Sequence, residues 1–374
     1  MEDNRIKEYK YLDQLLEYIG SSEKRYIEGE EKSYIYPKQL EIHLPGICNA
    51  NCKHCFGSLY KKEYGKWETE GLSLLDNLNG SIKYHIYGGA YTEPTVNRYL
   101  TAFMAKTKLY GNNFGLHTNG ILLKDLEIKN GFLTNLYDIS TDKTDYISIS
   151  LDAGSGNSWE HLKKRSSNNF YNILWSIEKM AELKAKGNKD SHAVRIVYLA
   201  SKNTAIKREL DFVVALAKNY DVDSVRFSVP YDYYNKDFKD VKKYKNDMEL
   251  RISEDMESLT KDLISHSKHE KPYVFWNPPY FTDIDRFCFK ECYYGLFQIT
   301  LGADGYIYPC SAVAAPTAAH LRKGEISGDL EIFNKQCWEI QNNKVQCKSD
   351  CFDKGLRGNR MALEINEFFN WSNK

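Results

Sequence analysis

The chain has 374 residues, 42% of them hydrophobic, which is enough to build the core of an α/β barrel with a small appendage. Its 51 basic residues balance 51 acidic ones, so the sequence lacks the domain-wide basic footprint of a nucleic-acid-binding protein, and nucleic acid is not an expected partner. No apolar run reaches the roughly 18 residues of a membrane span, and the charged start MEDNRIKEYK has no signal-peptide core, so the expected location is cytoplasmic with no membrane contact.

Residues 1–37 read as an N-terminal helical accessory segment, because Tyr9, Leu12, Leu15, Leu16 and Ile19 recur at amphipathic-helix spacing. Strands and helices then alternate. The spacing predicts strands over 39–45, 81–89, 112–120, 145–153, 192–201 and 223–230. Helices are expected from about Pro94 to Leu109, from Leu122, near 168–186 and over 205–219. This order implies right-handed βαβ units and a parallel sheet. The predicted fold class is α/β: a partial (β/α)6 TIM barrel over 38–231 with a small α+β domain after it. Residues 232–285 read as a connection with a charged helix over 245–266 and a strand plus turn in PYVFWNPPYF. LFQITLGADGYIYPC predicts a hairpin around Ala303-Asp304-Gly305, within a C-terminal domain over 286–374.

Strands buried on both faces usually read as continuous apolar runs. Here polar residues alternate with apolar ones: Glu41 and His43 with Leu40, Ile42 and Leu44; Lys83, His85 and Tyr87 with Ile82, Tyr84 and Ile86. Ser148, Ser150 and Asp152 alternate with Ile147, Ile149 and Leu151, and Arg226 and Ser228 with Val225, Phe227 and Val229. Period two puts each polar set on one face. The apolar face meets the helices, so the polar sets are expected to line the barrel interior as a wet or ligand-filled chamber. Glu41, His43, Arg195 and Arg226 are the candidate substrate contacts.

Nine cysteines, an odd count in a reducing compartment, argue against a disulfide framework and for metal sites. Cys48-Asn-Ala-Asn-Cys52-Lys-His-Cys55 follows the first strand directly. Three thiolates from one loop can hold three irons of a cubane cluster and leave the fourth iron open for a ligand. Structural zinc is the competing reading, with His54 or a distant residue as fourth ligand.

The C-x3-C-x2-C spacing after a first barrel strand resembles the radical S-adenosylmethionine (radical SAM) superfamily. The resemblance implies a [4Fe-4S] cluster that binds S-adenosylmethionine, cleaves a carbon–sulfur bond and yields a radical that abstracts a substrate hydrogen. His54 stands where the family usually has an aromatic residue near the adenine. The second strand ends in Gly88-Gly89-Ala90-Tyr91-Thr92-Glu93-Pro94, similar to the family's Gly-Gly-Glu-Pro but three residues longer. Either Glu93 still meets the methionine amino group or only backbone contacts remain. Thr118-Asn119-Gly120 and Ser150-Leu151-Asp152 resemble turns at the family's third and fourth strand ends. Arg165 falls where relatives carry an arginine for the cofactor carboxylate, and Leu199 where a side chain packs on adenine.

Cys292, twelve residues, Gly305, four residues and Cys310 resemble the signature of the twitch and SPASM extensions of this superfamily. With Cys347 and Cys351, or with Cys288 in place of Cys347, they would hold a second, auxiliary [4Fe-4S] cluster; zinc on the same residues is the alternative. Cys337 reads as a buried apolar thiol. The resemblance implies an oxidoreductase with a flavodoxin- or ferredoxin-type electron donor. Its substrate is a peptide, or a small polar molecule of the sugar or aminocyclitol kind. The stretch before the first strand is shorter than the leader-binding winged helix of many peptide modifiers. A cluster- or zinc-binding module without radical chemistry is the non-enzymatic alternative.

Overall fold

Alternating apolar and polar residues give each strand one face for the helices and one for the interior, and the sheet is built on that division. The computed structural model describes residues 24–27, 30–53, 55, 66–89, 91–187, 192–200, 204–228, 249–267, 270–276, 292, 294–314 and 316–342. The amphipathic stretch around Tyr9–Ile19 lies outside them.

β1 (Lys24–Ile27) and β2 (Glu30–Ser33) form a separate antiparallel pair. The six expected strands are all present, each shorter than its sequence run: β3 (Gln39–His43), β4 (Tyr84–Gly88), β5 (Asn113–Thr118), β6 (Tyr146–Ser150), β7 (Ala193–Leu199) and β8 (Ser224–Ser228). The sheet continues past them on both sides. β9 (Tyr273–Trp276) pairs in parallel with β8, and β10 (Gln298–Leu301) in parallel with β3. The predicted hairpin is formed by β10 and β11 (Ile307–Tyr308), which pair antiparallel. The order is β11-β10-β3-β4-β5-β6-β7-β8-β9, a nine-stranded sheet whose end strands do not pair with each other among the described residues, so the barrel is partial as expected. The hairpin therefore joins the barrel sheet at its first strand.

Around it run α1 (Glu68–Leu78), α2 (Leu100–Leu109), α3 (Leu123–Asn130), α4 (Phe132–Ile139), α5 (Gly156–Lys163), α6 (Asn168–Lys186), α7 (Lys207–Asn219), α8 (Glu249–His266) and α9 (Leu330–Asn342). Leu40, Ile42, Leu116, Ile147, Ile149, Ile196, Val225 and Phe227 pack with helix residues such as Leu75, Phe103, Phe170 and Ile177 in one core. Cys337 is buried in that core, as its reading as an apolar thiol anticipates.

Two predicted helices are interrupted. The one from Pro94 begins as a single 3-10 turn, Pro94–Val96, and α2 starts only at Leu100. Between them the Asn97 side chain donates to Pro45 O (2.8 Å) and Glu68 Oε1 (3.0 Å), holding the segment against the loop after β3. The helix from Leu122 is divided by Gly131, whose φ of 67° ends α3 in the left-handed conformation that glycine adopts without strain.

One strand is turned the other way from the expectation. In β4, Tyr84 and Ile86 share the face of Glu41, while His85 and Tyr87 point to the helices. The reason is α2: Thr107 Oγ1 bonds both His85 Nδ1 (2.8 Å) and the Tyr87 hydroxyl (2.5 Å), and Tyr87 also donates to Phe103 O (2.9 Å). With these bonds made, the two rings serve as core, although His85 Nε2 is buried without a hydrogen-bond partner.

The C-terminal elements close on the start of the sheet. Gln341 of α9 accepts from Ile35 N (3.1 Å) and donates to Ile35 O (2.8 Å), and Tyr36 donates to Asn334 Oδ1 (2.9 Å).

Candidate functional site

The three cysteines sit on the loop that leaves the C-terminal end of β3. Asn97 fixes the start of this loop at Pro45, and its middle is pinned to the end of α5. Asn51 N donates to Lys163 O (3.1 Å) and Lys53 N to Leu162 O (3.0 Å), while Cys55 N closes a turn onto Cys52 O (3.2 Å). Cys48, Cys52 and Cys55 are all half-buried.

Glu93 ties the neighbouring strand ends together. It is 3% exposed. Oε1 accepts from Thr95 Oγ1 (2.7 Å), Thr95 N (3.2 Å) and Thr118 Oγ1 (2.6 Å), and Oε2 accepts from Asn119 N (2.8 Å). Burial pushes its carboxyl pKa up, and these hydrogen bonds counter the shift. Asn119, oriented in this way, donates to Asn49 Oδ1 (2.8 Å) and reaches Cys48 Sγ at 3.7 Å. Thr118 Oγ1 in turn accepts from Gly120 N (3.0 Å). The motifs at the ends of β4 and β5 thus form one network that ends on a cysteine sulfur.

On the other side, Asp152 follows β6 in the left-handed conformation, φ 59°. Its Oδ1 accepts from Leu199 N (2.8 Å), and its Oδ2 pairs with the Lys163 ammonium, both side chains being buried. Burial works against the charge on Lys163, but Asp152 and the Cys52 and Cys55 sulfurs outweigh it and hold the lysine above its ordinary range. Lys163 in turn lowers the Cys52 thiol against the rise that burial imposes. Glu209 of α7 supports the turn from behind, accepting from Gly154 N, Ser155 Oγ (2.8 Å) and Ser158 Oγ (3.0 Å).

A thiolate-bound cluster fits these residues. Burial pushes the Cys48 thiol up to about 12, with Glu93, Cys52 and Cys55 adding to the rise. A thiolate there therefore needs a cation, and metal coordination deprotonates a thiol outright. The Asn49 amide nitrogen beside Cys48 is buried without a hydrogen-bond partner. Among the described residues no three His, Cys, Asp or Glu side chains converge on a single metal-ion position; a cubane takes each thiolate on a different iron.

Below the cysteine loop lies the inner face of the sheet. Register places Gln298 and Thr300, Glu41 and His43, Gly88, His117, Tyr146 and Ser148, Arg195, and Arg226 and Ser228 on it. Glu41 meets His43 Nε2 (2.9 Å) and Gln298 Nε2 (2.8 Å). Tyr146 bonds His117 Nε2 (2.8 Å), and the Arg195 guanidinium stacks over its ring, 3.8 Å from the centroid. The ring has this position because Gly115, its strand partner, has no Cβ to obstruct it.

Of the residues expected in the site, Cys48, Cys52, Cys55, Glu93, Thr118, Asn119 and Asp152 are joined by the two networks. Gly88 and Ser150 lie on the inner face, and Leu199 ends β7 half-buried beside Asp152. Gly89 is held by close packing, since a Cβ there would meet Thr92 Oγ1 at 2.4 Å. Glu41, His43, Arg195 and Arg226 line the interior as predicted. Arg165 is exposed on the turn after α5, while Lys163, two residues earlier, is buried. Cys292 and Cys310 are half-buried near the hairpin; His54, Cys288, Cys347 and Cys351 lie outside the described residues.

Sequence reasoning missed Lys163, His117 and Tyr146. Lys163 had a signal: it follows the buried Trp159 by four residues, the spacing of one helix face. His117 and Tyr146 share the inner-face parity of residues that were recognised.

No protein-family model matches this chain, and no curated protein matches it either. Solved structures do. SuiB from Streptococcus suis, in its crystal structure bound to the precursor peptide SuiA, superposes with a TM-score of 0.60 at 13% identity, over 90% of this chain and 69% of that one. The SuiB structure bound to S-adenosylmethionine gives a TM-score of 0.57 at 13% identity, over 83% and 67%. The likeness is one of fold: a partial TIM barrel with a mostly parallel sheet.

Proposed function

We propose that this chain is a radical SAM oxidoreductase that modifies a peptide. The observation that carries the reading is the gathering of three cysteines at the C-terminal end of a parallel partial barrel, with Asn119 on Cys48 and the buried Lys163 beside Cys52. Ligand sites of such folds lie at that end of the strands. Cys48, Cys52 and Cys55 would hold a [4Fe-4S] cluster, which when reduced supplies the electron that breaks a carbon–sulfur bond of S-adenosylmethionine and so generates a hydrogen-abstracting radical.

The chain's own residues hold and orient. Glu93 fixes Thr118 and Asn119 against the cysteine loop, and the Asp152–Lys163 pair fixes the loop's far side. Gly88 and Ser150 leave room along the inner face for S-adenosylmethionine, with Leu199 beside them. Glu41, His43, Arg195 and Arg226 bind the substrate below. That SuiB shares this fold and was crystallised with its precursor peptide supports a peptide substrate. Cys292 and Cys310, with Cys351 and either Cys347 or Cys288, would hold an auxiliary cluster, and a flavodoxin- or ferredoxin-type donor would supply electrons. The polar inner face favours a second reading, oxidation of a small sugar- or aminocyclitol-like molecule in the same chamber.

The test is anaerobic preparation followed by metal analysis and an assay for 5′-deoxyadenosine with dithionite as reductant. About eight irons per chain are expected for two four-iron clusters, with 5′-deoxyadenosine formed from S-adenosylmethionine. Cys48→Ala and Cys52→Ala should abolish that product, and its persistence in either variant sinks the reading. Cys310→Ala should drop iron to about four per chain while some cleavage remains. Zinc in place of iron at both sites would overturn the proposal.

A further inference from the structure

The inner face carries two guanidinium groups that the described residues do not neutralise. Arg195 of β7 and Arg226 of β8 lie on neighbouring strands one rung apart, Arg195 opposite Ser224 and Arg226 opposite Val197. Arg195 stacks over Tyr146, which orients its planar fork while leaving the edge donors available. Arg226 Nε is buried without a hydrogen-bond partner. The buried lysines differ: Lys163 pairs with Asp152, Lys108 with Asp145, and Lys184 with Asp223. The chamber's acid, Glu41, acts electrostatically on Tyr146 together with both arginines, yet its oxygens are turned to His43 and Gln298. Across the chamber, His43 is 1% exposed and its Nδ1 has no partner.

Both arginines are half-buried; a charge withdrawn from water without a partner is costly, so a ligand that supplies the partner would stabilise the site. Asp223, the other carboxylate that acts on Arg195, is itself paired with Lys184 and Lys271, so two guanidinium charges against Glu41 leave a single positive charge among the chamber groups. That balance suits a monoanionic carboxylate better than a phosphate dianion, and guanidinium forks grip carboxylates by paired hydrogen bonds. We propose that Arg195 and Arg226 anchor a carboxylate of the substrate, a step that rests on the reading of this chamber as the substrate site.

Depth separates this anchor from the cofactor. Arg195 lies four residues before Leu199, the end of β7, and Arg226 two before Ser228, the end of β8, or about 13 and about 7 Å below the strand ends at a rise of about 3.3 Å per residue. A substrate held there by its carboxylate extends its other end toward the cysteine loop. In a peptide the group is the side chain of Asp or Glu, or the terminal carboxylate.

The experiment uses the iron-loaded chain with S-adenosylmethionine, immobilised anaerobically. It is exposed to pools of terminally blocked hexapeptides, randomised except for a fixed central Glu or a fixed central Gln, and retained peptide is measured by mass spectrometry. A third pool has central Gln and a free C-terminal carboxylate, and binding of the radiolabelled monocarboxylate butyrate is followed by dialysis. At least fivefold preference for the Glu pool or the free-terminus pool over the Gln pool, or measurable binding of butyrate, is expected, and the preferred probe identifies the carboxylate's source. The preference should fall to parity in Arg195→Gln and Arg226→Gln and survive partly in Arg195→Lys, with unchanged melting temperatures. Equal retention of all pools with no butyrate bound overturns the proposal. So does a loss of S-adenosylmethionine affinity in the Gln variants with peptide retention unchanged, because the arginines would then serve the cofactor's carboxylate. Retention of the acidic probe by a chain that forms no 5′-deoxyadenosine would keep the anchor and reject the radical reading.

Discussion

Glu93 accepts four hydrogen bonds from inside the protein, and through Asn119 it governs where Cys48 points. Glu93→Gln replaces one acceptor oxygen by a donor facing other donors. Bonds to a charged group contribute about 1.5–3 kcal/mol each, so the variant should melt several degrees lower and hold less iron after reconstitution. The Asp152–Lys163 pair makes a sharper case. Lys163→Met leaves a carboxylate buried alone and should cost about 3–5 kcal/mol. The double variant Lys163→Met with Asp152→Asn should cost clearly less than the sum of the two single changes. Denaturant unfolding of all three variants measures this coupling, and additive losses would show that the pair does not act as a unit. Arg165→Ala, an exposed position, should stay within about 0.5 kcal/mol of the parent.

Whole elements carry the next set of consequences. β4 presents His85 to α2, and His192 lies just before β7; burial lowers both imidazoles to about 4. The unfolded chain protonates them near pH 6.5, so between about 6.5 and 4 it binds more protons than the folded chain. Stability should therefore be full above pH 6.5 and fall as pH drops toward 4, by up to about 1.4 kcal/mol per pH unit for each histidine. Melting temperatures across this range would test it, and His85→Gln should flatten the slope. Gly154 sets another limit: a Cβ there would meet the Glu209 carbonyl oxygen at 2.5 Å. Gly154→Ala should push α7 away from the turn after β6, lowering the melting temperature and loosening Asp152.

The strands were legible because period two survives in most of them, and the cysteine loop because its spacing is local. The faces of β4 were not, since Tyr84 and Ile86 compete with His85 and Tyr87 on nearly equal terms, and Thr107, twenty residues away from Tyr87, decides. Glu93 was recognised as a site residue, but its four donors come from two separate turns, and no local pattern announces such a meeting. Lys163, Lys164 and Arg165 stand in one basic run; only the helix face shared with Trp159 marks which of them is buried.

At the scale of the molecule, the sheet joins segments far apart in the chain. β10 completes the edge of β3, with Gln39 Nε2 donating to Gln298 Oε1 at 2.9 Å, and Gln341 grips both backbone groups of Ile35. Gln341→Ala removes two bonds to buried backbone and should destabilise by about 1–3 kcal/mol, read as a lower denaturant midpoint. The β10–β3 pairing also has a consequence for biosynthesis. β3 leaves the ribosome early, but the strand that covers its edge is 259 residues further on. At about 5–20 residues per second the nascent chain carries that bare edge for on the order of 10–50 seconds. An unpaired strand edge is a template for pairing with another chain, so the yield of folded protein should depend on elongation rate and on chaperones that shield β3 until its late partner arrives.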